Sequence, residues 1–360
     1  MIPKEIDAST RPKYYYNDKQ TRKNTMQIQA LAVKKSGGLL EEYKFDVAPP
    51  KVHECLIKVL TCGICHSDLH MIDNDWGQSK YPLVPGHEVI GEVAEIGSQV
   101  THLKVGDRVG VGWQRSSCLH CRDCLRGNEN LCDEIQGLIV TGPGGFADYL
   151  MVDSRFAFPI PKGIDSKAAG PLLCGGITVY GGLRNAGMTS GQEIGILGIG
   201  GLGHMAVQFA KKLGNRVTVF TTSQDKAEFA HKMGADEAIV VGKGEIPQAP
   251  SSKLDILLST VPAGLDWVPY IDFLDSDGAL AFVGVPDAPL SIPLSSLLAK
   301  RRRIMASPIG GRAMINEMLS IADKFAIEPI VEVFAIAQAN EAMQKVRDNQ
   351  VRYRAVLTMS

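Results

Sequence analysis

The chain has 360 residues, 45% of them apolar and 21% charged, with a formal net charge of −1. That length exceeds one ordinary core, so two domains are expected, and the composition is that of a globular protein in water. The near-neutral balance excludes a basic nucleic-acid binder or a membrane-surface protein, and no apolar run reaches the roughly 18 residues that a bilayer span needs.

Residues 1–26 are polar and tyrosine-bearing without periodicity, which predicts an arm, loose or docked on a neighbour. The opening Met1-Ile2-Pro3-Lys4-Glu5 lacks the apolar stretch of a signal peptide, so a cytoplasmic protein is expected. Short alternating runs predict strands over 27–33 and 54–60, separated by Ala48-Pro49-Pro50. Further strands are expected over 89–97 and 107–111, joined by glycine turns such as Lys104-Val105-Gly106-Asp107. Many short strands with such punctuation predict a β-barrel-like domain.

The pattern changes near Pro171. Residues 193–197 form a short apolar strand that runs into Gly198-Ile199-Gly200-Gly201-Leu202-Gly203. Leu202, Met205, Ala206, Phe209, Ala210 and Leu213 then recur at helical spacing, with Lys211 and Lys212 in the last turn and Gly214 just beyond. Strands follow over 216–220, 237–241, 255–259 and 279–285, and the strand–helix alternation predicts a parallel, doubly wound sheet. Past Pro308 the chain is expected to return to the first domain through a helix over 313–324, a strand over 331–334, a helix over 337–347 and a strand over 354–358. The expected division is 27–173 with 312–360 for the first domain, including a cysteine lobe at about 113–133, and 174–311 for the nucleotide fold.

Of eight cysteines, four fall at Cys118-x-x-Cys121-x-x-Cys124-x₇-Cys132. Four thiolates at this spacing can close tetrahedrally on one zinc and leave no open position, the mark of a structural site. A nucleic-acid-binding zinc module would need a basic stripe, yet Arg115, Arg122 and Arg126 are offset by Asp123, Glu129 and Asp133. A second concentration lies in Cys62-Gly63-Ile64-Cys65-His66-Ser67-Asp68-Leu69-His70 and Gly86-His87-Glu88. A catalytic zinc keeps three protein ligands and one open position. Cys65 and His87 are two candidate ligands; the third must come from further along.

Gly198, Gly200 and Gly203, with Gly201 and Leu202 between them, follow a strand and open a helix, the context that pyrophosphate binding requires. The second strand of that unit ends at Thr221-Thr222-Ser223, with Lys226 three residues on. Hydroxyls and an ammonium suit the 2′-phosphate of NADP, where a carboxylate would suit the ribose of NAD; Asp225 counts slightly the other way.

Together these motifs resemble the zinc-dependent medium-chain dehydrogenase/reductase superfamily, over about residues 27–359. Met71-Ile72-Asp73-Asn74-Asp75-Trp76-Gly77, Gly110-Val111-Gly112-Trp113 and Gly170-Pro171-Leu172-Leu173-Cys174-Gly175-Gly176-Ile177-Thr178 are similar to its cinnamyl alcohol dehydrogenase and bacterial NADPH-dependent aldehyde reductase branch. The resemblance implies a GroES-like β-barrel catalytic domain, a Rossmann domain, two zinc ions per chain, NADP(H) and a homodimer. It makes Cys174 the third ligand of the catalytic zinc, and Ser67 and His70 a proton relay. Asp68 would orient His87, Glu88 would lie beside the ion, and His66 and Thr178 would face the cofactor. Cys55 and Cys62 have no implied role and read as buried small hydrophobes.

The expected function is zinc-dependent, NADPH-linked, reversible reduction of aromatic or medium-chain aliphatic aldehydes, with Trp76, Trp113 and Leu83 lining the substrate pocket. The alternatives are an NAD-linked zinc alcohol or polyol dehydrogenase, and a non-catalytic protein that retains the fold.

Overall fold

The computed structural model describes residues 25–286 and 288–359. The expected N-terminal arm lies outside them except for Thr25 and Met26, and Met26 already opens the first strand, Met26–Ala32.

The longest strand, Glu54–Ile64, organises the first unit. Its apolar residues Cys55, Leu56, Ile57, Val59, Cys62 and Ile64 are buried, and it pairs antiparallel with Glu88–Ile96, Tyr149–Asp153 and Arg354–Thr358. The full sheet runs Val331–Ala335, Arg354–Thr358, Glu54–Ile64, Glu88–Ile96, Arg108–Val111, Phe158–Pro159, with Tyr149–Asp153 added on Glu54–Ile64. Two register shifts against Glu88–Ile96 bend it toward a barrel. A separate ribbon, Met26–Ala32 with Glu41–Val47, is joined by single bridges between Ala30 and Ala147 and between Val33 and Leu83. The resulting core is shared by residues such as Ile28, Ile57, Met71, Phe146 and Leu357. Thus the last strand of the chain sits at the centre of the first unit, beside Glu54–Ile64.

The second unit is a six-stranded parallel sheet. Its order is Glu237–Val240, Arg216–Thr221, Glu193–Leu197, Leu254–Ser259, Leu274–Phe282, Arg303–Ala306, which is 3-2-1-4-5-6 by sequence. This is the doubly wound arrangement, whose ligands sit beyond the carboxyl ends of the strands where the order reverses. The helices Gly203–Lys212 and Ile177–Ala186 cover one face through Met205, Phe209, Tyr180 and Leu183. Trp267, Tyr270 and Phe273 cover the other. Ile90, Leu172 and Leu173 from the first unit join the same apolar cluster as Ile177, so the two units share a core at their junction.

The strands and helices expected from the sequence are present, most with boundaries moved by a residue or two; the strand expected over 54–60 runs on to Ile64, and that expected over 279–285 is Leu274–Phe282. Six strands were not expected: Glu41–Val47, Gln114–Ser116, Gln136–Gly137, Tyr149–Asp153, Phe158–Pro159 and Arg303–Ala306. The last begins at the end of the charged run Lys300-Arg301-Arg302-Arg303, yet it pairs in parallel with Leu274–Phe282 along the sheet edge.

The four-cysteine lobe rests on the segment by which the chain leaves the second unit. Gln114 Nε2 donates to Gly310 O at 2.8 Å, Asn130 Nδ2 donates to Ile309 O, and the Arg312 N–H donates to Glu129 Oε2 at 2.9 Å. A Cβ on Gly311 would stand 1.9 Å from Gly127 O, so only glycine permits this approach. Among the described residues no helix is long and apolar enough to cross a membrane.

Candidate active site

The strand Glu54–Ile64 hands over to the helix His66–Asp73 at Cys65, whose extended backbone (φ −121°, ψ 159°) makes it the N-cap. Asp68, in the helix's first turn, is fully buried and anionic chemistry there needs donors. It has three. Its Oδ2 accepts the Cys65 N–H at 2.9 Å, and its Oδ1 accepts the Gly86 N–H at 2.9 Å and faces His87 Nδ1 at 3.0 Å. One carboxylate therefore sets both Cys65 and His87. Gly86 must be glycine: its φ is +99°, and a Cβ would press on Phe146 and on Cys62 Sγ.

With Nδ1 turned to Asp68, His87 Nε2 points at Cys174 Sγ, 3.3 Å away. Cys174 Sγ lies 3.9 Å from Cys65 Sγ. Cys174 enters from the wide π-type turn Leu172–Gly176, an irregularity that often marks functional positions. Ligand atoms of Cys65, His87, Glu88 and Cys174 all lie within 4.8 Å of one another. A tetrahedral zinc with ordinary bond lengths would hold two sulfurs about 3.8 Å apart and a nitrogen about 3.5 Å from each. The observed spacings fit that ion.

The charges around the group ask for a cation. The Cys174 sulfur, and then His87, hold the Cys65 thiol well below its usual range. Burial pushes the Glu88 carboxyl up to about 7 against the pull of Arg354. Burial works against the Arg354 charge as well, but Glu88, ion-paired with it, keeps the guanidinium protonated. Glu88 Oε2 and Arg354 Nε are buried and have no hydrogen-bond partner among the described residues.

Ser67 Oγ stands 3.8 Å from Cys65 Sγ. His70 Nδ1 pairs with Asp75 Oδ2 at 2.7 Å, and its ring lies against Trp76, centroids 5.2 Å apart. Trp76 meets Trp113 edge to face at 6.0 Å, and Trp113 meets His87 in the same way at 5.1 Å. The rings thus lead from Trp76, 43% exposed, to a candidate metal ligand. Leu83 is buried and exchanges both backbone hydrogen bonds with Val33, in the core of the first unit. Asp75 and Arg354 escaped the sequence reading.

The glycine-rich turn has the form an anion needs. Gly198 has φ +90°, and a Cβ on Gly203 would stand 1.9 Å from Gly198 O. Nothing lies within 4 Å of a Cβ built on Gly200, which leaves open space above the N-terminus of Gly203–Lys212. Thr221 ends its strand buried, whereas Thr222 and Lys226 are exposed. Ser223 is the N-cap of Gln224–Lys232 without a side-chain cap bond, and Lys226 makes no ion pair among the described residues. Those groups fit a phosphate, with Asp225 nearby in the same first turn. Thr178 is buried in Ile177–Ala186, and His66 is exposed at the start of its helix.

Cys118, Cys121, Cys124 and Cys132 also lie within 4.8 Å of one another, with Cys118 Sγ 3.8 Å from Cys124 Sγ and 3.5 Å from Cys132 Sγ. Backbone N–H groups of Cys121, Cys124 and Glu134 point at the sulfurs of Cys118, Cys121 and Cys132. A backbone hydrogen bond from His120, with others, brings the Cys118 thiol down to about 6. The set fits a zinc with all four positions closed. Cys55 and Cys62 are fully buried, and burial pushes the Cys55 thiol up to about 12, as inert core cysteines require.

His204, also unforeseen, lies buried beneath the glycine turn, and desolvation lowers its pKa to about 4. An unfolded imidazole takes up its proton near 6.5. Between those values the unfolded chain binds the extra proton, so stability is full above about pH 6.5 and falls as pH drops toward 4. The loss should be on the order of 3 kcal/mol across the window. Denaturant titrations from pH 7 to 4 should show this slope, reduced in His204→Gln; an equal slope in both would refute it.

A family profile described as "Alcohol dehydrogenase GroES-like domain" matches residues 51–162, and one described as "Zinc-binding dehydrogenase" matches 201–324. Aldehyde reductase AdhA of Synechocystis sp. is 42% identical over 333 residues, covering 92% of this chain and 99% of that protein. Cinnamyl alcohol dehydrogenase SbCAD4 of Sorghum bicolor superposes with a TM-score of 0.86 at 36% identity, covering 92% of this chain and 98% of the other. Cinnamyl alcohol dehydrogenase of Helicobacter pylori, solved with NADP(H), superposes at 0.85 with 29% identity, covering 93% and 99%. The chain belongs to the zinc-dependent medium-chain dehydrogenase/reductase superfamily, in its cinnamyl alcohol dehydrogenase branch.

Proposed function

We propose that the protein is a zinc-dependent, NADPH-linked aldehyde reductase, reversible toward the primary alcohol, with Cys65, His87 and Cys174 as the ligands of its catalytic zinc. The observation that carries this reading is the buried triangle of two sulfurs and one imidazole nitrogen at tetrahedral spacing. When bound, the zinc supplies a Lewis acid for the carbonyl oxygen and NADPH supplies the hydride.

The chain's own residues do the rest. Asp68 holds the proton of His87 on Nδ1 and so leaves Nε2 free to ligate. Ser67, beside Cys65, donates a proton to the product oxygen and regains one from His70. Asp75 orients His70, whose side chain is 44% exposed and so exchanges with solvent. Glu88 and Arg354 balance charge beside the ligands. Trp113 and Trp76 form an apolar wall for aromatic or medium-chain aldehydes, with Leu83 packed behind. Gly198, Gly200, Gly201, Leu202 and Gly203 cradle the pyrophosphate, with Thr178 and His66 toward the cofactor. Thr221, Thr222, Ser223 and Lys226 face the 2′-phosphate. A second zinc on Cys118, Cys121, Cys124 and Cys132 holds the lobe. Residues 27–173 with 312–360 act as the catalytic domain and 174–311 as the cofactor domain.

The protein works as a cytoplasmic homodimer. Its eight cysteines are all free, as a reducing compartment requires. The edge strand Arg303–Ala306 is paired on one side only, and Val285, Leu294 and Leu298 stand exposed nearby in the same unit. An apolar surface beside an open strand edge suits a second copy. Sedimentation should give twice 38.9 kDa; a monomer at micromolar concentration would contradict it.

Two experiments test the chemistry. Cys174→Ser should abolish reduction and leave one zinc per chain in a folded protein, whereas Cys121→Ser should lower stability, since structural zinc contributes folding energy directly. Two zincs and near-normal turnover in Cys174→Ser would remove it from the ligand set. Wild type should prefer NADPH over NADH by roughly 10²–10⁴ in kcat/KM, the worth of about two charge-assisted contacts. Lys226→Ala should raise the KM for NADPH alone, and Thr222→Asp should move the preference toward NADH. Comparable use of both cofactors by wild type would sink the assignment.

A further inference from the structure

His204 sits in the first turn of Gly203–Lys212 and is fully buried, with both ring nitrogens engaged on different parts of the chain. Nδ1 lies 2.8 Å from Gly200 O, in the glycine-rich turn. Nε2 accepts the backbone N–H of Ile330 at 3.2 Å, just ahead of Val331–Ala335 in the other sheet. Ile330 can only donate there, so Nε2 carries no proton and the Nδ1–H donates to Gly200. The geometry thus selects one neutral tautomer. One turn on, Gln208 Nε2 donates to Glu328 O at 2.9 Å, so the same helix face grips the chain at 328–330. The His204 ring stacks on Tyr353, centroids 5.0 Å apart and planes 19° apart. Tyr353 precedes Arg354, the partner of Glu88.

We infer that His204 is a positioning residue for the cofactor, setting the Gly200–Gly201 peptide and tying it to the segment that carries Ile330. The inference rests on the dinucleotide reading of the turn. A trans peptide points its C=O and N–H in opposite directions. Holding the Gly200 carbonyl inward therefore turns the Gly201 N–H outward, on the side left open at Gly200. Backbone N–H groups presented at a helix N-terminus are what a pyrophosphate binds. The Gly200 carbonyl also accepts the His204 backbone N–H at 3.2 Å; the ring adds the second bond and so restrains rotation of the peptide. A phenyl ring would keep the stack on Tyr353 but lose both bonds, so ring chemistry rather than volume carries the role.

The test uses the full-length, zinc-loaded protein and NADPH binding followed by its fluorescence, with zinc content and thermal stability measured on the same samples. His204→Asn places an amide nitrogen near the Nδ1 position and can keep the Gly200 bond. His204→Gln reaches only the Ile330 side, and His204→Phe reaches neither. Phe and Gln should raise the Kd for NADPH roughly three- to tenfold, about one neutral hydrogen bond, with the loss appearing in Kd and KM. Asn should recover most of it. An unchanged Kd in both Phe and Gln, or an Asn variant as weak as Phe, would overturn the inference; if Phe does not fold, the Asn–Gln pair decides. A wild type that binds neither NADPH nor NADH would instead overturn the dinucleotide reading, and the inference with it.

Discussion

Asp68 is the constraint on which the candidate metal group depends. Its buried carboxylate accepts the N–H of Cys65 and of Gly86 and faces Nδ1 of His87. A carboxylate sealed from water persists only when its lone pairs are taken up, and here the donors belong to the two segments that must meet. The helix start and the loop at His87 are therefore brought into register by one desolvated anion. A metal held there would meet the imidazole at Nε2, because His87 has only that nitrogen left to offer.

Around this point the protein gathers more potential negative charge than one guanidinium balances. Cys65, Cys174, Glu88 and Asp68 are within or beside the group, and Arg354 is the buried cation paired there. A divalent ion would relieve an imbalance that burial makes costly. Arg354 arrives on the last strand of the chain, next to Glu54–Ile64. The return of the chain to its first unit thus completes the electrostatics as well as the sheet.

The two units are joined at more than their shared core. Glu129, Gln114 and Asn130 hold the crossover at 309–312, and His204 and Gln208 hold 328–330. These contacts are polar, directional and mostly to backbone, so they specify alignment where apolar packing alone would tolerate sliding. The glycine turn and the metal group are set against each other by this frame.

The sequence by itself determined what is local. Alternation of period two revealed the strands over 27–33 and 54–60, and the 3.6 period after Gly203 revealed its helix, because each pattern needs only one buried face. The spacing of Cys118, Cys121, Cys124 and Cys132 carried its own geometry, since all four thiols lie within a short stretch of chain. Glu41–Val47 does alternate, with Tyr43, Phe45 and Val47 on one side, but those side chains are only half-buried and charged residues fill the other positions. Arg303–Ala306 has no apolar alternation and becomes a strand through pairing with Leu274–Phe282. The tertiary structure alone decided the rest. It set Cys174 Sγ 3.9 Å from Cys65 Sγ across 109 residues, Arg354 against Glu88 across 266, and His204 against Ile330 across 126. A lone cysteine, arginine or histidine carries no periodic signal, and its neighbours are chosen by how the chain closes on itself, a property of the whole fold and of no single stretch.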